Sequence, residues 1–380
     1  MSKYSLPQTT STSPLMMRHL VVWGLPFLGW VVLIVAWLML SSSDSEEKPA
    51  TAEPPSPTEQ VASAQPQVPV PTPVPQPQSV PQPQPVPAAP VLPTQPTPVP
   101  APTQTAVAPL DQAPSFMPYD FKGAVSQIGL PKEVACNTGI LVDLAARKVL
   151  WAKGAERAVP IASMTKMMTM LLAEEAIAQG RIKRDSMIPV TVNAYKIGGS
   201  QVWLDPKEVF PLSELLKAIA IKSANDAAYL VSEHLGDGDA STFVARMNAR
   251  ARELGMSHTS FYDAHGLGDS QKRNNLASAY DMVILAERLL AYPEVMKLAA
   301  TRMDTFRNGK TELKNHNNLV FHRVPGVDGL KTGYTEASGF CVTFTCVRAG
   351  RRLIGCVTGF KSAKDRDAFC RALLDWGYTK

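Results

Sequence analysis

Near its end the chain reads Ser338-Gly-Phe-Cys-Val-Thr-Phe-Thr-Cys-Val347, then Ala349-Gly-Arg-Arg352, then Leu353-Ile-Gly-Cys-Val-Thr-Gly-Phe360. Two runs rich in β-branched and aromatic residues around a Gly-containing turn predict an antiparallel pair. A similar pair stands far upstream, Gly139-Ile-Leu-Val-Asp-Leu144 and Lys148-Val-Leu-Trp-Ala152 across a short polar turn. Between the pairs the pattern is helical, first from about Ser163 to Gln179 with Gly180 placed for a C-terminal cap, then from Leu212 to about Ala300. A last amphipathic helix is expected over Asp365 to Trp376. Strands at both ends with helices between predict a mixed α/β (α+β) fold. One antiparallel sheet is assembled from the two ends, with flanking helices and a helical lobe inserted into it.

Upstream of residue 115 the composition changes. Leu20 to Leu40 is apolar and without charge, and at ~1.5 Å per residue it reaches about 30 Å, enough to cross a bilayer. Lys3 and Arg18 precede it, and Asp44, Glu46 and Glu47 follow, which keeps the N-terminal side cytoplasmic. A cleaved signal peptide is the alternative, but its apolar part should be only ~7–15 residues long. Between Pro49 and Pro114 stand 22 of the 33 prolines, with almost no aromatic residue. Such a stretch cannot bury enough apolar surface to offset its ordering entropy and reads as an extended, disordered spacer. The expected organisation is a cytoplasmic tail over 1–18, a single membrane anchor over 19–40, a Pro-rich linker over 41–114 and one exported globular domain over 115–380.

The net charge of +5 divides unevenly: residues 1–40 carry +2 and residues 41–114 carry −5, which leaves +8 on the globular part. A basic domain suits an anionic polymer, yet no basic run interleaved with aromatics appears, so nucleic acid is not expected as a partner. The five cysteines, Cys136, Cys341, Cys346, Cys356 and Cys370, have no metal-type spacing. Scattered buried thiols are expected, with one bridge left open, and Cys341 and Cys346 should face opposite sides of their strand.

Three strings carry possible chemistry. In Ser163-Met-Thr-Lys166 the lysine shares a helix face with the serine, and Met164, Met167 and Met168 should strip it of water. Desolvation lowers a lysine pKa and lets it serve as a base for the hydroxyl, while helix N–H groups favour a developing oxyanion. Taken alone the string is weak, since Ser45-Glu-Glu-Lys48 repeats it inside the Pro-rich stretch. Ser223-Ala-Asn225 follows the helix Leu212–Ile221, and it is as well read as a turn that caps the next helix as a proton relay with an amide for substrate. Lys331-Thr-Gly333, between Gly329 and the strand from Ser338, offers a cation and a hydroxyl for a carboxylate and a glycine for close backbone approach. The six histidines lack paired ligand spacing, so His265 reads as a structural turn residue, and neither a metal nor an organic cofactor is implied.

Together and in this order, S-x-x-K, S-x-N and K-T-G resemble the set of penicillin-interacting serine hydrolases. The chain from about Ser115 to Lys380 resembles the low-molecular-mass penicillin-binding proteins, the D-alanyl-D-alanine carboxypeptidase family of serine peptidases. Further similar strings are Gly199-Ser-Gln-Val202, His265-Gly-Leu267, Ser278-Ala-Tyr-Asp-Met282, Asp328-Gly-Leu-Lys-Thr-Gly-Tyr334 and Leu373-Leu-Asp-Trp-Gly377. The resemblance implies a β-lactamase/DD-peptidase-like fold, with Ser163 as acylated nucleophile, Lys166 as its base and Ser223 as relay. It also implies that Asn225 contacts substrate, that Lys331 and Thr332 hold a terminal carboxylate beside Gly333, and that the N–H groups of Ser163 and Tyr334 form the oxyanion hole. The implied reaction removes the terminal D-alanine from a peptidoglycan stem peptide, β-lactams acylate the same serine, and the domain works outside the inner membrane. A DD-endopeptidase, a β-lactamase and a non-catalytic wall-binding module are the rivals. The family's Ser-Thr-Ala string reads Ala277-Ser278-Ala279 here, and no E-x-x-L-N string stands between Asn225 and Lys331. Many relatives attach through a C-terminal amphipathic helix, a role the N-terminal anchor and tether are expected to fill.

Overall fold

Both strand pairs lie in one sheet. The computed structural model describes residues 117–380; the expected tail, anchor and linker over 1–114 lie outside the described residues. The strands are β1 (Gly139–Asp143), β2 (Lys148–Lys153), β3 (Val159–Pro160), β4 (Met187–Pro189), β5 (Val209–Pro211), β6 (Leu276–Ala277), β7 (Met303–Phe306), β8 (Thr311–Lys314), β9 (Val327–Thr335), β10 (Gly339–Arg348) and β11 (Arg351–Phe360). The helices are α1 (Lys166–Ala178), α2 (Val192–Tyr195), α3 (Leu212–Ile221), α4 (Asn225–Leu235), α5 (Ala240–Glu253), α6 (Ala279–Leu289), α7 (Pro293–Ala300), α8 (Asn318–Phe321) and α9 (Ala363–Gly377).

The main sheet runs β2-β1-β11-β10-β9, and every neighbouring pair is antiparallel. Alternation along its strands feeds two cores. Ile140, Val142, Ile354 and Cys356 face the core shared with α1, α3, α4 and α6. Leu141, Leu353, Val357 and Phe344 face a smaller core closed by Phe369, Leu373 and Leu374 of α9. Ser362 caps α9 by accepting the Asp365 N–H at 3.0 Å. Cys341 and Cys346 fall in opposite cores, and all five cysteines are free and buried. Burial pushes the thiols up, Cys136 to about 12 and Cys341 to about 11, so they stay protonated.

Two local expectations are corrected. Ser163 is not in an α-helical first turn: Ala162–Thr165 forms a 3-10 turn, and α1 begins at Lys166. The segment holding Lys331, Thr332 and Gly333 is not a connector ahead of the next strand but the middle of β9, a nine-residue edge strand paired with β10. The expectation for α1 itself is met. It is buried almost all round, which is why its apolar residues are dense rather than striped, and Gly180 closes it with φ of +70°.

Candidate active site

The 3-10 turn of Ser163 lies against β9, and two glycines permit the approach. A Cβ on Gly333 would come within 2.6 Å of the Ile161 carbonyl oxygen. A Cβ on Gly266 would stand 2.2 Å from the Ala162 oxygen and 2.7 Å from the Ser163 nitrogen, and Gly266 also sits at φ of +94°. The loop around Gly266 is tied down by Asp263, whose carboxylate accepts the N–H groups of His265, Gly266 and Gly268. Thr169 and Asn275 sew the same loop to the start of α1 through bonds to the Ala264 carbonyl and to Thr165 Oγ1.

Lys166 is fully buried, and its ammonium is lowered well below the ordinary lysine value, first by burial and then by the charge of Lys331, with Asp263 and Asp226 opposing. Its Nζ has three partners: Ser163 Oγ at 2.9 Å, Asn225 Oδ1 at 2.6 Å and the His265 carbonyl oxygen. Of these, only the serine has a proton to give. Once Lys166 is neutral, its two N–H bonds stay with the two carbonyls and the lone pair is left facing Ser163 Oγ. The orientation of Asn225 is set at its other end, where Nδ2 donates to the Gly198 carbonyl at 2.8 Å. The side chain read as a substrate contact is therefore bonded within the protein at both ends.

Ser223 is buried, holds φ of +60° between α3 and α4, and lines the same cavity of about 730 Å³ as Ser163, Asn225, Thr332, Gly333 and Tyr334. Lys331 is buried in β9 and is not among the residues that line this cavity: its Nζ donates to the Thr332 carbonyl at 3.0 Å, and burial, followed by the charge of Arg366, pushes it down to about 7. Lys222, Lys314 and Arg366 line the cavity and, among the described residues, no carboxylate does, so its field favours an anion. Tyr334 is the exposed member of the set, stacked on Phe340 at 4.1 Å between ring centres.

Sequence reasoning missed two contributors. The main-chain oxygen of His265 carries no side-chain signature, and only the string His265-Gly-Leu267 pointed near it. The His265 ring is buried and pushed down to about 4, hence neutral, and its Nδ1 accepts the Leu267 N–H at 3.3 Å. Arg366 reads as a surface charge on an amphipathic helix, yet it is buried. Nε and Nη2 donate to Asp367, and Nη1 donates to the Cys341 carbonyl at 3.2 Å. One N–H on each terminal nitrogen remains for a ligand.

Residues 124–362 match the Peptidase S11 family model, D-alanyl-D-alanine carboxypeptidase. The chain belongs to this family. It is 38% identical over 248 residues to the D-alanyl-D-alanine carboxypeptidase DacF of Bacillus subtilis (strain 168), covering 64% of this chain and 62% of that one. It is 31% identical over 233 residues to the D-alanyl-D-alanine endopeptidase of Escherichia coli (strain K12), covering 60% of this chain and 72% of that one. The fold is similar to the crystal structure of penicillin-binding protein D2 from Listeria monocytogenes in its ampicillin-bound form. That match has a TM-score of 0.60 and 28% identity and covers 66% of this chain and all of that one. The chain spans less than two thirds of the length of the carboxypeptidase relatives it matches. The relatives thus include both D-alanyl-D-alanine carboxypeptidases and a D-alanyl-D-alanine endopeptidase, and the choice for this chain rests on its own site.

Proposed function

We propose that the chain is a serine-type D-alanyl-D-alanine carboxypeptidase that removes the terminal D-alanine of peptidoglycan stem peptides and is acylated by β-lactams on the same serine. The observation that carries this reading is the 2.9 Å bond of Lys166 Nζ to Ser163 Oγ at a cavity that also gathers Ser223, Thr332 and Tyr334. Ser163 Oγ attacks the penultimate carbonyl carbon as its proton passes to Lys166 Nζ. The N–H groups of Ser163 and Tyr334 take the oxyanion, and the leaving amine collects the proton through Ser223. Thr332 and Arg366, with the charge of buried Lys331 close by in β9, hold the terminal carboxylate, and water then releases the acyl group from Ser163. Asn225 serves chiefly to orient Lys166, and its contact with substrate remains part of the proposal.

We place the domain outside the inner membrane, held by the apolar run over 19–40 with the N-terminus cytoplasmic and spaced from the bilayer by the Pro-rich stretch. The charges support this orientation, since cations precede the run and acids follow it.

The deciding assay gives the purified full chain a pentapeptide ending in D-Ala-D-Ala and, separately, a cross-linked peptide dimer. D-alanine should leave the pentapeptide faster than the dimer is cut. Preference for the dimer assigns the chain to cross-link cleavage instead, and binding of either without turnover assigns it to wall binding.

A further inference from the structure

Arg307 stands at the turn between β7 and β8 and does not line the catalytic cavity. Its guanidinium nevertheless reaches the loop over 198–204, whose Gly199 and Ser200 are part of the cavity wall. Nη1 donates to the Val202 carbonyl and Nη2 to the Trp203 carbonyl, both at 2.6 Å. Glu208 sets the guanidinium for this task, accepting from Nε at 2.7 Å and from Nη2 at 2.8 Å. The rings of Phe210 and Phe306, stacked at 4.7 Å between centres, lie against the same cation.

The other side of the loop is held by the first two residues of α4. The buried Asp226 carboxylate accepts the N–H groups of Val202 and Leu204. The Asn225 N–H donates to the Ser200 carbonyl at 2.7 Å, and Asn225 Nδ2 donates to the Gly198 carbonyl at 2.8 Å. Around Trp203 the carbonyls therefore answer to Arg307 and the N–H groups to Asp226. Held between them, exposed Trp203 keeps φ of +58°, which a bulky residue adopts only where its surroundings over-determine it. The loop also touches the amide directly, since a Cβ on Gly199 would stand 2.5 Å from Asn225 Nδ2. A shift of this loop is a shift of Asn225, whose Oδ1 accepts from Lys166 Nζ at 2.6 Å.

We propose that Arg307 is a positioning residue for acylation: it clamps the loop over 198–204 so that the Gly198 carbonyl holds the Asn225 amide, and the amide holds Lys166 with its lone pair toward Ser163. The inference rests on the proposed function, in which Lys166 is the base. One planar fork serves two carbonyls and a carboxylate here, a task that the point charge of a lysine cannot reproduce. Without the fork, Asp226 alone holds the middle of the loop. The strained backbone at Trp203 then relaxes and carries the Gly198 carbonyl away from Asn225.

The test follows how fast a fluorescent penicillin acylates the full chain, with the rate expressed per site that the reagent finally titrates. Counting sites removes any loss of folded protein, so a side chain that merely supported the fold would lower the number of sites and leave the rate per site unmoved. Arg307→Met keeps a stem against Phe210 and Phe306 and removes the fork. Its rate per site should fall by about 10–100-fold, the scale set by misplacing a reacting group by up to 1 Å. Glu208→Gln leaves Arg307 in place with a weaker setting, should slow acylation by a smaller factor, and carries the test if Arg307→Met does not fold. The same changes are then made in Asn225→Ala. With the amide already gone, loss of the clamp should slow the rate by no more than about twofold further. An unchanged rate per site in both single variants, or slowing that multiplies in full onto Asn225→Ala, overturns the role of Arg307 and leaves the peptidase reading in place. A wild type that the penicillin does not acylate overturns that reading and this inference with it.

Discussion

Lys166→Met is expected to lower kcat/KM for D-alanine release by roughly 10²–10⁴-fold, the range lost when a positioned proton acceptor is removed. Methionine keeps the bulk of the lysine stem among Met164, Met167 and Met168, all buried. It also removes a buried amine that desolvation already disfavours in its charged form. Against that, Asn225 Oδ1 and the His265 carbonyl lose their donor, at a cost of about 1–3 kcal/mol each. The thermal unfolding midpoint should therefore fall by what those two lost bonds cost while the fold is retained, and the loss of rate in the folded protein separates a chemical role from a structural one. The same lysine fixes the sign of the pH dependence. Because Lys166 must be neutral to accept the serine proton, kcat/KM rises with pH as it deprotonates, below the ordinary lysine range because burial and Lys331 lower it. The opposite limb comes from Lys331, which sits at about 7 and loses the charge that holds the carboxylate, so KM rises above that value. A kcat/KM that does not fall as the pH passes about 7 contradicts the assignment of Lys331, and one with no rising limb below the ordinary lysine range contradicts that of Lys166.

Gly266→Ala should damage stability and chemistry together. The new Cβ would press on the Ala162 oxygen at 2.2 Å and on the Ser163 nitrogen at 2.7 Å, in a backbone conformation with φ of +94° that side chains rarely adopt. Strain of this kind costs about 1–3 kcal/mol and the backbone clash adds to it, so a loss of about 2–4 kcal/mol is expected in chemical denaturation. Because the atoms that must yield belong to the nucleophile's own turn, acylation should slow by about 10²-fold, the effect of a displacement near 1 Å. Gly268→Ala separates the two causes. Gly268 has the same φ of +94°, but its Cβ would meet the Arg273 oxygen at 3.0 Å, away from Ser163. It should lose stability and keep acylation. Equal slowing in both variants would show that loop strain, not the position of Ser163, limits the reaction.

The parts of the fold that sequence made legible are those where one period dominates. β10 and β11 are runs rich in β-branched and aromatic residues about a tight turn, and α9 keeps one apolar face, so their existence and order could be read directly. β9 could not. Val327-Asp-Gly-Leu-Lys-Thr-Gly-Tyr-Thr335 carries two glycines, an aspartate and a lysine, and from Gly329 to Gly333 it is buried without alternation because the Ser163 turn covers its outer side. The features that disguise this strand are those that let it approach the nucleophile. The side-chain members of the site were readable as three strings, but their partners were not. That the Asn225 amide is split between Lys166 and Gly198 depends on where the loop before α3 passes, and the His265 contribution comes from a main-chain atom that any residue would supply. Arg366 was hidden for another reason: the first turn of α9 is carried onto β10 by the sheet, and burial follows from that packing, not from its local pattern.

The central claim is that Ser163, with Lys166 as its base, forms the acyl-enzyme. Labelling the full chain with a fluorescent penicillin, followed by digestion and mass spectrometry of the labelled peptide, tests it most directly. A single adduct on Ser163 is expected in the wild type, with no labelling of Ser163→Ala. An adduct on another residue, Ser223 included, or equal labelling of the two proteins would contradict it.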